Sequence, residues 1–297
     1  MKIGAVFPHL EIGSDPVVVR DWAQTAEGLG YSHLLAYDHV IGAVHEHRDP
    51  PLWGPYTEKS AFHEPMVLFG YFAACTSRVE LVTGILILPQ RQTVLVAKQA
   101  AEIDLLSGGR LRLGVGTGWN YVEYDALNEN FENRGRRQVE QVELLRALWA
   151  EPVLDYSGTW HRIDRAGLKP LPARQIPIWF GGFTDIAFQR ASAIGDGFIF
   201  GGSQADSLEA LTKLRAHLEQ AGRDPSTFGT EAMLNYQSGP DNWRREIEAW
   251  QAAGADYVSM RSMALRGMGE GLESPREHIE ALQKYWDIVG DLADGPS

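Results

Sequence analysis

Eight short apolar stretches recur along this 297-residue chain, each followed by a segment of helical spacing. No other feature restricts the fold as tightly. The apolar stretches are 2–7, 32–37, 80–88, 110–118, 176–180, 197–200, 230–236 and 255–260. The helical segments are 16–29, 65–77, 93–106, 136–149, 185–194, 205–221, 242–253 and 275–289. Strict strand–helix alternation predicts a parallel sheet, and eight units predict closure into a (β/α)8 barrel. An open doubly wound sheet usually stops earlier. The run ILIL within 80–88 is apolar at every position, as in a strand buried on both faces. Residues 1–297 are expected to form a single barrel domain. Insertions are expected at 40–64, 119–135, 150–175 and 261–274. Within the third of these, VLDYSGTWHRI reads as a β-hairpin turning at Ser157-Gly158. The 40–64 segment is rich in His, Pro and Gly without a period, and a loop of that length is usually a lid or binding loop.

Composition removes several function classes. Net charge is −12, and no long basic run is present, which argues against nucleic-acid binding. No apolar run approaches a membrane span, and the start MKIGAVFPHL has no signal-peptide pattern. Cys75 is the only cysteine, so no disulfide framework exists; in LFGYFAACTS it reads as a buried structural thiol. A reduced, cytoplasmic, soluble protein is the expectation.

In a barrel of this kind, chemistry sits at the C-terminal strand ends. Four of the eight ends are glycine-rich or apolar, which suits a large planar ring. In RLRLGVGTG the glycines Gly114, Gly116 and Gly118 alternate with Val115 and Thr117. Such spacing strips β-carbons from a strand end and lets a flat ligand approach the backbone. Asp38-His39 is the only acid–imidazole pair at a strand end. A DH dipeptide elsewhere is usually a turn cap beside a packed ring; at a strand end the pair points to proton transfer. Gly181-Gly182 precedes a predicted helix, where bare N–H groups can hold a phosphate. Gly201-Gly202 reads the same way, although either pair could be a loop needing positive φ.

Other motifs are discounted. GVGTG lacks the third glycine of a dinucleotide fingerprint, and WNYVEYDALNEN does not open a clean helix. His45-Glu46-His47 and His63-Glu64 lack the helical spacing of metalloprotease ligands, so no metal is expected. There is no GxSxG elbow.

Several stretches together carry a resemblance. YDHVIG (37–42), TGILILPQR (83–91), KQAAEIDLLSGGRLRLGVGTGW (98–119), EYDAL (123–127), RGRRQVEQVELLRALW (134–149), IPIWFGG (176–182) and ASAIGDGF (191–198) resemble the bacterial-luciferase-like superfamily, in its branch using the deazaflavin coenzyme F420. The resemblance implies a (β/α)8 barrel with a flavin-like ring at the C-terminal mouth. Asp38 would hold the ring's polar edge, and His39 would stand near the hydride-carrying carbon as acid or base. A bulge with a non-prolyl cis peptide, placed at Ile85-Leu86 by counting back from Pro89, would back the ring. Thr117 and Gly118 would touch the ring or its side chain. Gly181 and Gly182 would hold phosphate by backbone N–H. The sugar-phosphate dehydrogenases of the family carry a glutamate directly after GTG; this chain has Trp119 there. That departure disfavours sugar-phosphate oxidation and implies chemistry without that acid. It points instead to an apolar or aromatic substrate wall, with Trp53, Tyr56 and Phe62 as partners or as local packing of the loop. The activity implied is an F420-dependent oxidoreductase. An FMN-dependent monooxygenase fed by a separate reductase is the first alternative, and a non-catalytic flavin-binding protein the second. Such proteins are commonly homodimers.

Overall fold

The third apolar stretch does not run through as one strand. In the computed structural model, which describes residues 1–264 and 271–294, it is broken into two strands, β3 (Glu80–Thr83) and β4 (Leu86–Ile87). A cis peptide at Gly84-Ile85 lies between them, one residue before the position expected from Pro89. The two pieces serve as one barrel stave. The others are β1 (Lys2–Val6), β2 (His33–Ala36), β5 (Leu111–Gly116), β8 (Ile178–Gly181), β9 (Gly197–Phe200), β10 (Gly229–Asn235) and β11 (Tyr257–Arg261). All pair in parallel, in the order β3-β2-β1-β11-β10-β9-β8-β5-β4. A further pairing of β3 with β5, Leu81 opposite Leu111, closes the ring. This is the eight-stave (β/α)8 barrel expected from the alternation.

The outer layer comprises α1 (Pro16–Leu29), α2 (Pro65–Cys75), α3 (Thr93–Ser107), α5 (Arg134–Ala150), α6 (Asp185–Ile194), α7 (Gln204–Gln220), α8 (Pro240–Ala252) and α9 (Pro275–Val289). Local chemistry fixes their ends. Pro16 starts α1 behind an Asp15 cap that accepts from the Val17 N–H at 2.9 Å, and Gly30 stops it in the left-handed region. Ser274 and Glu277 form a reciprocal capping box at the start of α9. Cys75 is the last residue of α2 and is half-buried, so the expectation of a buried thiol is corrected.

Of the expected insertions, 40–64 contains no helix or strand, and 150–175 contains the antiparallel pair β6 (Leu154–Ser157) and β7 (Arg162–Ala166). The 119–135 segment is not all loop. It holds a short helix, α4 (Tyr121–Ala126), capped by Asn120. Of 261–274, residues 265–270 lie outside the described residues, as do 295–297 of the chain's last stretch.

Alternation along the staves divides the apolar side chains into two sets. Leu34, Leu81, Leu86, Leu111 and Leu113 face the helices. Leu35, Val82, Trp179 and Ile199 face the barrel axis, joined by Ile85 and Met233. The lower interior is polar. Arg112 bonds Glu231 at 2.6 Å and stacks on Trp179 and Tyr257, while His33 and Ser259 bond the other oxygen of Glu231. Buried charges tolerate such a place only when paired and hydrogen-bonded, as these are.

Candidate active site

His39 stands just beyond β2, with little of its side chain exposed. Its partner is not the adjacent Asp38. Nδ1 of His39 lies 3.1 Å from Oε2 of Glu123, a residue of α4. The geometry follows from the cap of that helix. Asn120 is buried, and its Oδ1 accepts from the N–H groups of Val122 and Glu123. This fixes the first turn and aims Glu123 inward. Its carboxylate is wholly buried and accepts from Gln90 Nε2 at 3.1 Å, from the Ile41 N–H at 3.2 Å and from the Val40 N–H. Burial pushes the Glu123 carboxyl upward, but the His39 bond and charge, with the other donors, outweigh it and leave it below the usual carboxylate range. An ionised Glu123 accepts only, so the hydrogen of neutral His39 resides on Nδ1. Nε2 is left as the basic nitrogen.

Position 119 carries no acid, but a carboxylate still reaches His39. The carboxylate arrives four positions later on a helix that the WNYVEYDALNEN pattern did not announce. The useful signal was Asn120 with Glu123 three residues on, a helix-start pattern.

Asp38 is corrected too, as the partner of His39. Its side chain has no exposure. Oδ2 accepts from the Ile87 N–H at 2.8 Å and from Arg91 Nε, and Oδ1 accepts from Arg91 Nη2 at 2.7 Å. Consecutive side chains in an extended segment point in opposite directions, so chain neighbours need not meet. Arg91 also bonds Glu64, which caps α2 through the Val67 N–H.

The aromatic residues divide. Tyr56 and Phe62 pack edge-on to His39, each with its ring centroid 5.0 Å away, and Trp119 lies at 5.7 Å. Burial pushes the Tyr56 phenol well above its ordinary range, so it stays protonated. Trp53 is 78% exposed and lies outside this cluster. Gly54 beside it is the residue that touches: a β-carbon there would run into the Trp119 ring.

The glycine-rich strand ends serve neighbouring protein atoms first. β-Carbons at Gly116 and Gly181 would strike the Ile85 side chain, and one at Gly118 would strike Ile87. The half-buried Ile85 thus forms a ridge across two glycine strand ends at the mouth. Leu86 points the other way, into the helix layer, and its side chain is removed from the mouth. The Thr117 carbonyl accepts from Tyr124 Oη at 2.7 Å. The two paired-glycine loops also differ. Thr184 gives α6 no side-chain cap beside Gly181-Gly182, although its carbonyl takes the Ala187 N–H and Asp185 stands in the first turn. Ser203 already caps α7 beside Gly201-Gly202 by accepting from the Asp206 N–H. Phe183, 79% exposed, stands at the edge of the Gly201 strand end.

His63 and Glu64 serve the scaffold. The His63 ring bonds the Gly13 carbonyl and its N–H reaches His9, while His45 packs on Trp119.

Comparison with known proteins fits this architecture. The chain is 29% identical over 258 residues to the F420-dependent hydroxymycolic acid dehydrogenase of Mycobacterium tuberculosis, covering 85% of this chain and 68% of that one. It is 29% identical over 197 residues to the FMNH2-dependent dimethylsulfone monooxygenase of Pseudomonas fluorescens, covering 64% and 50%. In structure it aligns with an F420-dependent secondary alcohol dehydrogenase at a TM-score of 0.77, with 18% identity over 99% of both chains; at that identity the likeness is one of fold. A family model described as luciferase-like monooxygenase matches residues 5–287. Its relatives are oxidoreductases and monooxygenases that use a flavin or a deazaflavin. The chain belongs to this luciferase-like family.

Proposed function

We propose that the protein is an F420-dependent oxidoreductase acting on an organic substrate with an apolar or aromatic body, and that His39 exchanges the proton. The observation that carries this reading is the His39–Glu123 pair at the barrel mouth, walled by Tyr56, Phe62 and Trp119. The preference for F420 over FMN rests on the branch of the family that the sequence stretches above resemble.

The residues present fit such a cofactor. The ridge of Ile85 against Gly116 and Gly181 gives a flat apolar backing, and the uncapped start of α6 offers N–H donors for a phosphate. Ile85, Thr117, Gly118, Gly181 and Gly182 would hold it, with Gly201 and Gly202 at the far edge. The coenzyme supplies hydride transfer; the protein supplies orientation and a proton. Glu123 holds Nδ1–H and stabilises the imidazolium when it forms. Nε2 takes a proton from the substrate heteroatom in the oxidising direction and returns it in the reducing one. The aromatic wall keeps water from the exchange.

Titration of the purified protein with F420 and with FMN tests the assignment. Tight F420 binding is expected. Sub-micromolar FMN binding with none of F420 would overturn it in favour of the monooxygenase reading.

A further inference from the structure

The stave opposite the Ile85 ridge carries a polar group that has no part in the chemistry at His39. Counted round the closed ring, β10 stands four staves from Ile85 in either direction. Alternation along β10 turns Glu231, Met233 and Asn235 towards the barrel axis. Glu231 belongs to the buried floor, whereas Met233 and Asn235 are half-buried at the level of the mouth. We propose that Asn235 selects the substrate, its side-chain amide donating a hydrogen bond to a carbonyl oxygen that the substrate carries at the end away from His39. This role presupposes the oxidoreductase reading above and assigns the substrate a polar group besides the one that exchanges hydride.

The orientation of the amide is fixed from behind. Arg261 of β11 is the register partner of Asn235, and its Nε, at 3.1 Å, and its Nη2 both donate to one side-chain atom of Asn235. A guanidinium has no acceptor, so that atom is Oδ1 and the NH2 group faces away from Arg261. Arg261 is itself 2% exposed, and its Nη1 reaches Tyr37 Oη at 3.4 Å. That hydroxyl donates in turn to Met233 Sδ at 3.1 Å. Three staves thus brace the amide. Its Nδ2 has no partner among the described residues, yet it keeps open surface on a half-buried residue.

Local structure does not account for this amide. Asn235 precedes the turn Tyr236–Ser238 at the position where an asparagine side chain normally caps, and it makes no cap. Ser238 Oγ holds the turn instead, donating to the Asn235 carbonyl at 2.8 Å. The neighbouring inward side chains, Met233 and Met263, are apolar. A ligand that fills this side of the mouth displaces water from Nδ2, and a donor left unmatched weakens binding. A carbonyl oxygen restores the bond. An alkyl group of the same shape does not, and an N–H group meets a second donor.

Two alcohols of similar shape are the probes: methyl 4-(hydroxymethyl)benzoate, with a carbonyl at its far end, and 4-propylbenzyl alcohol, without one. Their dissociation constants are measured by calorimetry under anaerobic conditions on the full chain. The chain is loaded with whichever of F420 and FMN it binds, in reduced form, so that no hydride moves. The coenzyme titration therefore judges the F420 reading separately. The ester is expected to bind about tenfold more tightly than the propyl compound. Asn235→Asp keeps an acceptor for Arg261, and with it the fold, but removes the donor, so the ratio of the two constants should fall to about one or below. Asn235→Leu should lower the ratio in the same way. A purely structural role of Asn235 would shift both constants together and leave the ratio standing. Failure of the wild-type chain to prefer the ester, or a preference that survives in Asn235→Asp, overturns the proposal.

Discussion

Nδ1 of His39 and Oε2 of Glu123 meet at 3.1 Å across 84 positions of sequence, and the same carboxylate accepts from the N–H groups of Val40 and Ile41. One buried anion therefore sets the orientation of the imidazole and the backbone that follows it. His39→Ala is expected to lower turnover by roughly 10²–10⁴-fold without unfolding the barrel. The check is kcat with reduced coenzyme beside the circular dichroism spectrum. Unchanged turnover would remove His39 from the chemistry.

Glu123→Gln separates orientation from charge. The amide keeps the volume but loses the anion that stabilises the imidazolium. Turnover should fall by roughly 10²-fold. Stability should drop by about 1–3 kcal/mol as the Val40 and Ile41 donors lose an ionised acceptor. Turnover equal to that of the wild type would show that Glu123 only shapes the loop.

Arg91 holds Asp38 where water does not reach. Arg91→Met should cost about 3–5 kcal/mol, because it leaves a buried carboxylate uncompensated. Adding Asp38→Asn should recover part of that loss. Urea unfolding of the four proteins of this double-mutant cycle measures the coupling; additive losses would mean that the pair is not the source.

His9 is buried at the end of β1, and its imidazole is pushed down to about 3 by burial and by repulsion from His63 and His39. Its two ring nitrogens face the backbone N–H groups of Tyr37 and His63. Neutral imidazole can accept at one of them and imidazolium at neither. The unfolded chain binds this proton near pH 6.5, whereas the folded chain binds it only near the lowered value. His9 therefore makes stability decline as pH falls from about 6.5 towards 3. The melting temperature of His9→Gln should decline less over that range than the wild type's; equal slopes would exclude His9 as the source.

Gly54→Ala tests the aromatic wall without touching His39. Its methyl group would meet the Trp119 ring and displace it. KM for an aromatic substrate should rise about tenfold, the scale of one well-placed aromatic contact, with kcat little changed. An unaltered KM would place the substrate elsewhere.

The barrel was legible because each strand–helix unit states its own period within a short window. The break between Thr83 and Leu86 was not, since an apolar run such as ILIL reads alike whether it continues or bends. His39 was legible from its strand end. Its partner was not, because adjacency on the chain pointed to Asp38, whereas the fold turns that carboxylate towards Arg91. Glu123 depended on a short helix whose start is fixed by one buried asparagine, and helices this short carry too little pattern to announce themselves. Ile85 and Leu86 were expected to act together, but alternation along a strand sends them to opposite faces.

The Glu123 contacts have a kinetic corollary. Residues 40–64 begin at Val40 and end at Glu64, and both ends are fastened to groups beside the reacting centre: Val40 to Glu123, and Glu64 to Arg91, which also grips Asp38. Any excursion of this loop that frees its first residue also unclamps the imidazole. On the proposed role of His39, opening of this loop and the orientation of the base share a single latch, and a slow step in loop opening would surface in kinetics as a slow step in proton transfer.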